Sequence, residues 1–158
     1  MHALTFAIIT CSDTRTIETD EAGAALREDI ERAGWTVVSH EVVADDRAAI
    51  ADAIVRAADE ARVDTVLTCG GTGFSPRDVT PEATLDVADR MAPGIAEAIR
   101  AGSLAITRRA MLSRATAALR GSTIVVNLPG SRKAARESFG FFADQLEHAV
   151  EMLAGGGH

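Results

Sequence analysis

A glycine-rich loop in the middle of the chain constrains the fold more than any other feature. An apolar, β-branched run, Thr65 to Cys69, stops at this loop, which is typical of a buried strand that ends in a tight turn. The loop carries three glycines within four positions, Gly70, Gly71 and Gly73, with Thr72 between them. A helix start follows within ten residues, so the segment predicts a strand, a glycine loop and a helix in succession.

The helix start after the loop is indicated by Thr80, Pro81 and Glu82. Thr80 is the predicted N-cap, Pro81 the first helical residue, and Glu82 an acidic residue in the positive first turn. A strand that leads through glycines into a helix N-terminus presents backbone N–H groups, and these bind phosphate or other anions. The segment therefore predicts an anion site, with a simple tight turn as the alternative.

The two commonest nucleotide-binding motifs are absent from this loop. Lys133 is the only lysine of the chain and lies far from the glycines, so there is no phosphate-loop lysine. Pro76 stands where the third glycine of a dinucleotide-binding motif would be. The loop is therefore predicted to hold a phosphate by another arrangement.

Composition narrows the class of protein. The 158 residues, 47% of them hydrophobic and 25% charged, are predicted to form a single domain over residues 1–158, with 154–158 as a flexible tail. A net charge of −7 argues against binding to nucleic acid or to a membrane surface. No apolar run approaches the ~18 residues of a membrane span. The sequence also lacks a secretory pattern, so a cytoplasmic location is expected.

The cysteines and histidines give no sign of a zinc site. Cys11 and Cys69 each end a predicted strand, and we expect them to be reduced and buried. The four histidines are scattered without a partner at ligand spacing: His2, His40, His148 and His158.

Strand and helix patterns alternate along the whole chain. Strands are predicted at Leu4–Thr10, Trp35–Val43, Thr65–Cys69 and Ser122–Leu128. Helices are predicted at Glu21–Ala33, Arg47–Ala61, Pro81–Met91, Gly94–Arg100 and Ser131–Leu153, while Gly102–Gly121 fits neither period. This alternation predicts an α/β fold, a three-layer, doubly wound, mainly parallel sheet.

Polar clusters follow each predicted strand. They are Ser12–Arg15, Asp45–Asp46, Gly70–Asp78 and Asn127–Ser131. Because ligands of such sheets bind beyond the carboxyl ends of the strands, these clusters predict one shared binding site.

Carboxylates beside a glycine loop in an acidic chain suggest Mg²⁺ on a polyphosphate, because Mg²⁺ prefers one or two carboxylates with phosphates and water. Asp46 and Asp78 are the candidate metal ligands and catalytic residues, since each follows a strand at the expected ligand edge. Two structural alternatives stay open. One of Asp45 and Asp46 could cap the helix at Arg47, and Asp78 could serve only the turn before Thr80.

Four blocks of residues, in the same order, resemble the MogA/MoaB family of molybdenum cofactor biosynthesis. They are Ser12-Asp13 with Asp20 and Gly23, Gly70–Gly73 with Asp78–Glu82, Ser113-Arg114, and Asn127–Ser131. The resemblance covers nearly the whole chain. It departs from the family pattern at Arg132, where a proline is usual, and at Ala118, where a glycine is usual.

The resemblance implies a molybdopterin-binding fold, assembled as a homotrimer or hexamer, that adenylylates molybdopterin with Mg-ATP and releases pyrophosphate. It implies Asp46 and Asp78 as the important aspartates, and the molybdenum-insertion protein as a partner. The residues implied in binding molybdopterin or ATP are Ser12, Asp13, Gly70, Gly71, Thr72, Gly73, Glu82, Ser113, Asn127, Pro129, Gly130 and Ser131. A paralogue that binds molybdopterin or its precursor without catalysis is the alternative.

Overall fold

The computed structural model describes residues 3–156, and the strands within them form one six-stranded sheet. The strands are β1 (Thr5–Cys11), β2 (Thr36–Val43), β3 (Thr65–Cys69), β4 (Arg90–Met91), β5 (Ala117–Arg120) and β6 (Thr123–Leu128). Their order is β2-β1-β3-β6-β5-β4, with β2, β1, β3 and β6 parallel and the β6–β5 and β5–β4 pairs antiparallel. The predicted α/β class with a mainly parallel sheet is confirmed.

Helices cover both faces of the sheet. They are α1 (Glu21–Arg32), α2 (Arg47–Val55), α3 (Thr80–Val87), α4 (Pro93–Leu104), α5 (Arg132–Gly140) and α6 (Leu146–Leu153). Alternate residues of β1 serve opposite cores: Ile8 packs with α1, α4, α5 and α6, whereas Ile9 packs with α2 and α3. Both side chains are almost completely buried, which fixes the register of the central strand.

The last predicted helix is broken in the middle. The pattern from Ser131 to Leu153 predicted one helix, but α5 ends at Gly140 and α6 begins only at Leu146. Glycine is a poor helix residue, and the break lets the Phe142 ring reach the core, where it meets the Phe139 ring edge to face at 5.7 Å.

One further helix prediction is wrong in part, one unassigned stretch contains regular structure, and one predicted helix changes its form near its end. The helix predicted over Pro81–Met91 ends at Val87, and its last residues pair with β5 as the short edge strand β4. The unassigned stretch Gly102–Gly121 holds the end of α4, a 3₁₀ turn at Arg108–Leu112 and β5. The helix predicted over Arg47–Ala61 continues beyond α2 as one π-helical turn.

The described part of the chain ends in a closed turn after α6. Gly155 has a positive φ of 89°, and the N–H of Gly156 donates to the carbonyl of Glu151 at 2.9 Å, as in a glycine-ended helix. The predictions for His2, for Gly157 and for His158 lie outside the described residues. Within residues 3–156, no helix is both long and apolar enough to cross a membrane.

Candidate functional site

The polar clusters that follow β1, β2, β3 and β6 meet at one edge of the sheet. These four strands are parallel, so their carboxyl ends lie side by side. The chain places β2 on one side of β1 and β3 on the other, which makes a crevice of the kind in which doubly wound sheets bind ligands.

The glycine loop after β3 has a shape that only glycine can adopt. Gly70 and Gly71 have φ values of 97° and 70°. A Cβ on Gly70 would lie 2.7 Å from the carbonyl oxygen of Cys11, and one on Gly71 would overlap Thr80 Oγ1. Gly130, from the loop after β6, packs against Gly70 so closely that its own Cβ would lie 3.3 Å from the Gly70 Cα.

This loop presents unused hydrogen-bond donors. The N–H groups of Gly71 and Thr72 have no hydrogen-bond partner among residues 3–156. The N–H of Gly70, in contrast, donates to the carbonyl of Leu128 on β6 at 2.9 Å. Two adjacent free N–H groups beyond a buried strand are a suitable anchor for a phosphate oxygen.

Thr80 does not cap α3 as the sequence suggested. Its hydroxyl donates to the carbonyl of Gly70 at 2.9 Å, and the N-cap position is Val79, which has no capping side chain. The prediction failed because the positive φ values of the glycines turn the chain back over the helix, bringing this carbonyl within reach of the hydroxyl.

Arg114 holds the glycine loop against α3. Its guanidinium donates to the carbonyls of Gly73 at 2.8 Å and Asp78 at 2.7 Å, and it pairs with the Glu82 carboxylate at 2.6 Å. The hydrogen bonds from Arg114 lower the pKa of Glu82. Glu82 was predicted to bind substrate or nucleotide, and in the structure its carboxylate makes this supporting contact.

The two candidate aspartates each use one oxygen to stabilise local structure. Asp78 Oδ2 accepts hydrogen bonds from the N–H groups of Gly73 and Ser75, both at 3.1 Å. Asp46 Oδ2 caps α2 by accepting from Ala49 N at 2.9 Å. The capping and turn alternatives are therefore both realised, although the Oδ1 atoms accept no hydrogen bond from the part of the chain described.

Asp45, the neighbour of Asp46, turns towards the glycine loop. Its Oδ2 accepts from Asp13 N at 3.0 Å, and Asp13 Oδ1 accepts from Asp45 N at the same distance. Its Oδ1 would lie 3.4 Å from a Cβ on Gly71. Burial, together with the negative charges of Asp13 and Asp78, raises the pKa of Asp45. From the sequence, Asp45 was predicted to lie in a polar cluster at the ligand edge or to cap the helix at Arg47, and only Asp46 was a candidate metal ligand, because adjacency along the chain does not show which carboxylate faces inward.

A second arginine joins this group of carboxylates. Arg77 makes a two-pronged pair with Asp13, with Nε 2.9 Å from Oδ2 and Nη2 2.9 Å from Oδ1. These hydrogen bonds lower the pKa of Asp13. The pair spans 64 positions of sequence, so no local pattern could have identified it.

Two cavities open at this edge of the sheet. The first, here the β1–β2 cavity, has a volume of about 590 Å³ and lies against the ends of those strands. The second, the β3–β6 cavity, has a volume of about 650 Å³ and is bordered by the glycine loop, α4 and α5. Because β1 and β3 are adjacent, the glycine loop and its carboxylates lie near the boundary between the two cavities.

Most of the remaining predicted residues line one of the two cavities. Ser12 and Asp13 line the β1–β2 cavity. The predicted residues that line the β3–β6 cavity are Thr72, Gly73, Ser113, Pro129 and Ser131. Apolar side chains also line it, namely Phe74, Ile99, Ile106 and Leu112, together with Arg100, which sequence reasoning did not single out. A cavity with apolar walls and several hydroxyl groups suits a planar heterocycle.

Asn127 lines neither cavity, as is also true of Gly70, Gly71, Glu82 and Gly130 among the predicted binding residues. Its side chain is completely buried, and its amide donates to the hydroxyls of Thr68 and Thr84 while its Oδ1 accepts from Thr116 N. It joins β3, α3 and β6 below the site, so it supports the glycine loop from inside the protein.

A buried hydrogen-bond group lies beside the β1–β2 cavity. Asp20 Oδ2 meets His40 Nε2 and the Thr10 hydroxyl, each at 2.6 Å, and its Oδ1 accepts from Gly23 N. Burial works to raise the pKa of Asp20, but these hydrogen bonds outweigh it and the pKa is lowered. A Cβ on Gly23 would overlap this group, which explains a glycine within α1. The sequence gave no sign that His40 has this partner.

The two cysteines are inert, as predicted from their positions at strand ends. Both are buried, and burial raises the pKa of Cys11 to about 12 and that of Cys69 further still.

The acidic side chains of the site are too few for a metal centre built by the protein alone. Among the described residues there is no group of three or more histidine, cysteine or acidic side chains arranged to hold a metal ion. Mg²⁺ on a polyphosphate needs fewer protein ligands, and the free oxygens of Asp45 and Asp78 are donors of the kind it prefers.

Comparison with known proteins gives consistent results. Residues 7–148 match the family model described as a probable molybdopterin binding domain. The chain is 33% identical to the molybdopterin adenylyltransferase of Helicobacter pylori, over 98% of this chain and 90% of that protein. It is 38% identical to the molybdenum cofactor synthesis protein cinnamon of Drosophila melanogaster, over 97% of this chain but only 26% of that longer protein. The structure of the molybdopterin biosynthesis Mog protein from Mycobacterium ulcerans superposes with a TM-score of 0.87 at 39% identity, covering 98% of this chain and 99% of that one.

Proposed function

Because this chain belongs to the molybdopterin-binding domain family of molybdenum cofactor biosynthesis proteins, we propose that it adenylylates molybdopterin with Mg-ATP and releases pyrophosphate. The observation that carries the proposal is the glycine loop, with its two free N–H groups, near the boundary of two cavities that are each large enough for one heterocycle. A reaction that joins two heterocyclic substrates through a phosphate needs this arrangement. The sequence relationship to an enzyme named for this reaction supports it.

The proposed chemical step needs little acid–base help from the protein. An oxygen of the terminal phosphate of molybdopterin attacks the α-phosphorus of ATP, the new P–O bond forms, and the bond to the departing pyrophosphate breaks. The nucleophile is already an anion, so catalysis consists of positioning and of neutralising charge on the phosphates. Hydrogen bonds from the N–H groups of Gly71 and Thr72 to a phosphate oxygen would supply part of the positioning and part of the charge neutralisation.

Magnesium would neutralise charge on the nucleotide phosphates when bound. We assign Asp78 and Asp45 as the residues that would hold the magnesium ion. The sequence had indicated Asp78 and Asp46, so Asp45 here takes the place of its neighbour. Burial, and then the negative charges of Asp13 and Asp78, raise the pKa of Asp45, and a bound divalent cation would offset both effects, whereas Asp46 caps α2. Asp46 remains the second candidate.

The other predicted residues take binding and supporting roles in this proposal. Ser113, Pro129, Gly130 and Ser131 would contact one heterocycle in or beside the β3–β6 cavity, and Ser12 and Asp13 would contact the other substrate in the β1–β2 cavity. We place the reaction in the cytoplasm, with molybdenum insertion by a partner protein as the following step.

Incubation of the protein with molybdopterin, ATP and Mg²⁺ tests the proposal. We expect adenylylated molybdopterin and pyrophosphate in equal amounts, and turnover about a hundredfold lower in Asp78→Asn, the usual loss for one electrostatic contact to a transition state. A paralogue that only binds pterin would retain molybdopterin affinity but form neither product. Near-normal turnover in Asp78→Asn would remove Asp78 from the site.

A further inference from the structure

Arg77 is an exposed charged group of the candidate site with one hydrogen-bond partner. Its side chain is 63% exposed, and among the described residues its guanidinium donates hydrogen bonds only to the carboxylate of Asp13, while the negative charges of Asp45 and Asp46 also attract it. Arg114, on the other side of the same loop, has its guanidinium fully engaged by two carbonyls and Glu82. Arg77 is therefore free to move, whereas Arg114 is not.

Asp13 does not need Arg77 to stay in place. Its N–H and its Oδ1 are both held by Asp45, through two hydrogen bonds of 3.0 Å. An exposed ion pair of this kind adds little to stability, so opening it costs little. The guanidinium can leave while the loop after β1 keeps its conformation.

The geometry of the pair matches that of arginine on phosphate. A carboxylate and a phosphate each present two oxygens to the two parallel N–H groups of the guanidinium, and arginine binds either in the same two-pronged way. In the ligand-free protein, Asp13 thus occupies the position on Arg77 that phosphate oxygens could take. The free N–H groups of Gly71 and Thr72 belong to the same loop and offer further contacts to the same phosphate.

We propose that Arg77 binds a phosphate group of a bound substrate by exchanging Asp13 for it. This inference rests on the proposed function and names a residue of the same site. The exchange also explains why a carboxylate, Asp13, lies at a phosphate site. Asp13 could not itself bind a phosphate directly, because both groups are negative. In the free protein it keeps Arg77 extended beside the loop, and it releases the guanidinium to a stronger anion.

Two conservative variants with opposite expected effects test the exchange. Arg77→Gln removes the guanidinium, and we expect it to weaken pyrophosphate binding, measured by calorimetry without a divalent cation, at least about tenfold. Asp13→Asn removes the competing charge but keeps an oxygen for Asp45 N, and we expect it to strengthen the same binding severalfold. The double variant should bind as weakly as Arg77→Gln.

Arg47→Gln is the matched control. Arg47 makes the same two-pronged contact, with Asp86 at 2.7 Å for both pairs of atoms, at a similar exposure of 55%, and it lines neither cavity. It should leave pyrophosphate affinity unchanged, which would exclude a general effect of net charge. Melting temperatures of all variants establish that they are folded.

A parallel titration with molybdopterin distinguishes the two sources of phosphate. Loss of pyrophosphate affinity in Arg77→Gln assigns the residue to the nucleotide, and loss of molybdopterin affinity assigns it to the pterin phosphate. The exchange is overturned if Arg77→Gln binds pyrophosphate and molybdopterin with normal affinity. It is also overturned if Arg77→Gln loses affinity for one of these ligands and Asp13→Asn does not bind that same ligand more tightly. A wild-type protein that shows these affinities but forms no adenylylated pterin would refute the proposed function and leave the role of Arg77 intact.

Discussion

The space around Gly71 is filled on the side where a Cβ would stand. The backbone has a φ of 70°, and Thr80 Oγ1 and Asp45 Oδ1 are the nearest atoms on that side. The loop can present its N–H groups because both the conformation and the packing exclude a side chain here.

We therefore expect Gly71→Ala to destabilise the protein by about 1–2 kcal/mol, the usual penalty for a left-handed residue with a Cβ, and to abolish pyrophosphate and molybdopterin binding. Urea unfolding and calorimetry measure the two effects. Gly94→Ala is the control, since Gly94 lies in the first turn of α4 with nothing within 4 Å of its Cβ position. Unchanged ligand affinity in folded Gly71→Ala would contradict this role of the loop.

Asp45 makes the stability of the protein depend on pH. Its pKa is raised in the folded state, so the folded protein binds its proton more tightly than the unfolded chain does. The contribution of Asp45 to stability must then fall as pH rises from the ordinary value of 3.8 through the raised value. We expect Asp45→Asn to melt higher than the wild type at pH 7 and at the same temperature well below pH 3.8, while its turnover falls about a hundredfold.

Asp46→Ala distinguishes the two neighbours. Loss of the α2 cap should cost about 1 kcal/mol of stability at pH 7 with little change in turnover. The assignment of magnesium to Asp45 is contradicted if Asp46→Ala loses turnover and Asp45→Asn keeps it. Melting curves and pyrophosphate release on the two variants give the answer.

At the scale of the elements, the site depends on long-range contacts between loops. Arg114, just before β5, connects the loop after β3 with the first turn of α3. A lysine at this position could not reach all three acceptors with the same geometry, because its three N–H donors share one nitrogen, whereas those of the guanidinium are spread over three. The position of the glycine loop therefore depends on a residue more than thirty positions away.

Arg114→Lys should lose about 2 kcal/mol of stability, because the ammonium cannot span the separate acceptors and some of the charge-assisted hydrogen bonds are lost. Turnover should fall with it, since the loop is no longer held in one position. Urea unfolding together with KM and kcat tests this. A variant with wild-type stability and turnover would show that the loop is held by its glycines alone.

Local patterns predicted the elements well where burial is simple. The bounds of β3 were predicted as observed, since a continuous β-branched run ends there at glycine. β4 was missed because it has only two residues, both exposed, and it exists only through its pairing with β5. Asp78 and the glycine loop could be identified from sequence, but the contacts of Arg77 with Asp13 and of Asp20 with His40 could not. Those partners come together only through the order of the strands.

For the whole molecule, exposed apolar side chains indicate a surface for association. Those between α4 and β5 are Leu104, Ile106, Met111 and Leu112, each at least 43% exposed. Apolar patches on soluble chains commonly mark contact surfaces. The homotrimer expected from the family resemblance would have a mass three times the 16.6 kDa of one chain.

Light scattering at micromolar concentration tests the assembly. We expect the trimer mass or twice that, and a smaller mass for Met111→Glu, which places a charge in the exposed patch. A monomer mass for the wild type would reject the assembly without affecting the proposed chemistry.

In the proposed reaction, an adenylyl group moves from ATP to molybdopterin at the glycine loop. The most direct measurement follows radioactive phosphate from ATP labelled at either the α or the γ position. We predict that the α label appears in the pterin product and the γ label in pyrophosphate, in a ratio of one to one and only with Mg²⁺ present. Transfer of the γ label to the pterin, or release of pyrophosphate without a labelled pterin, would contradict the claim.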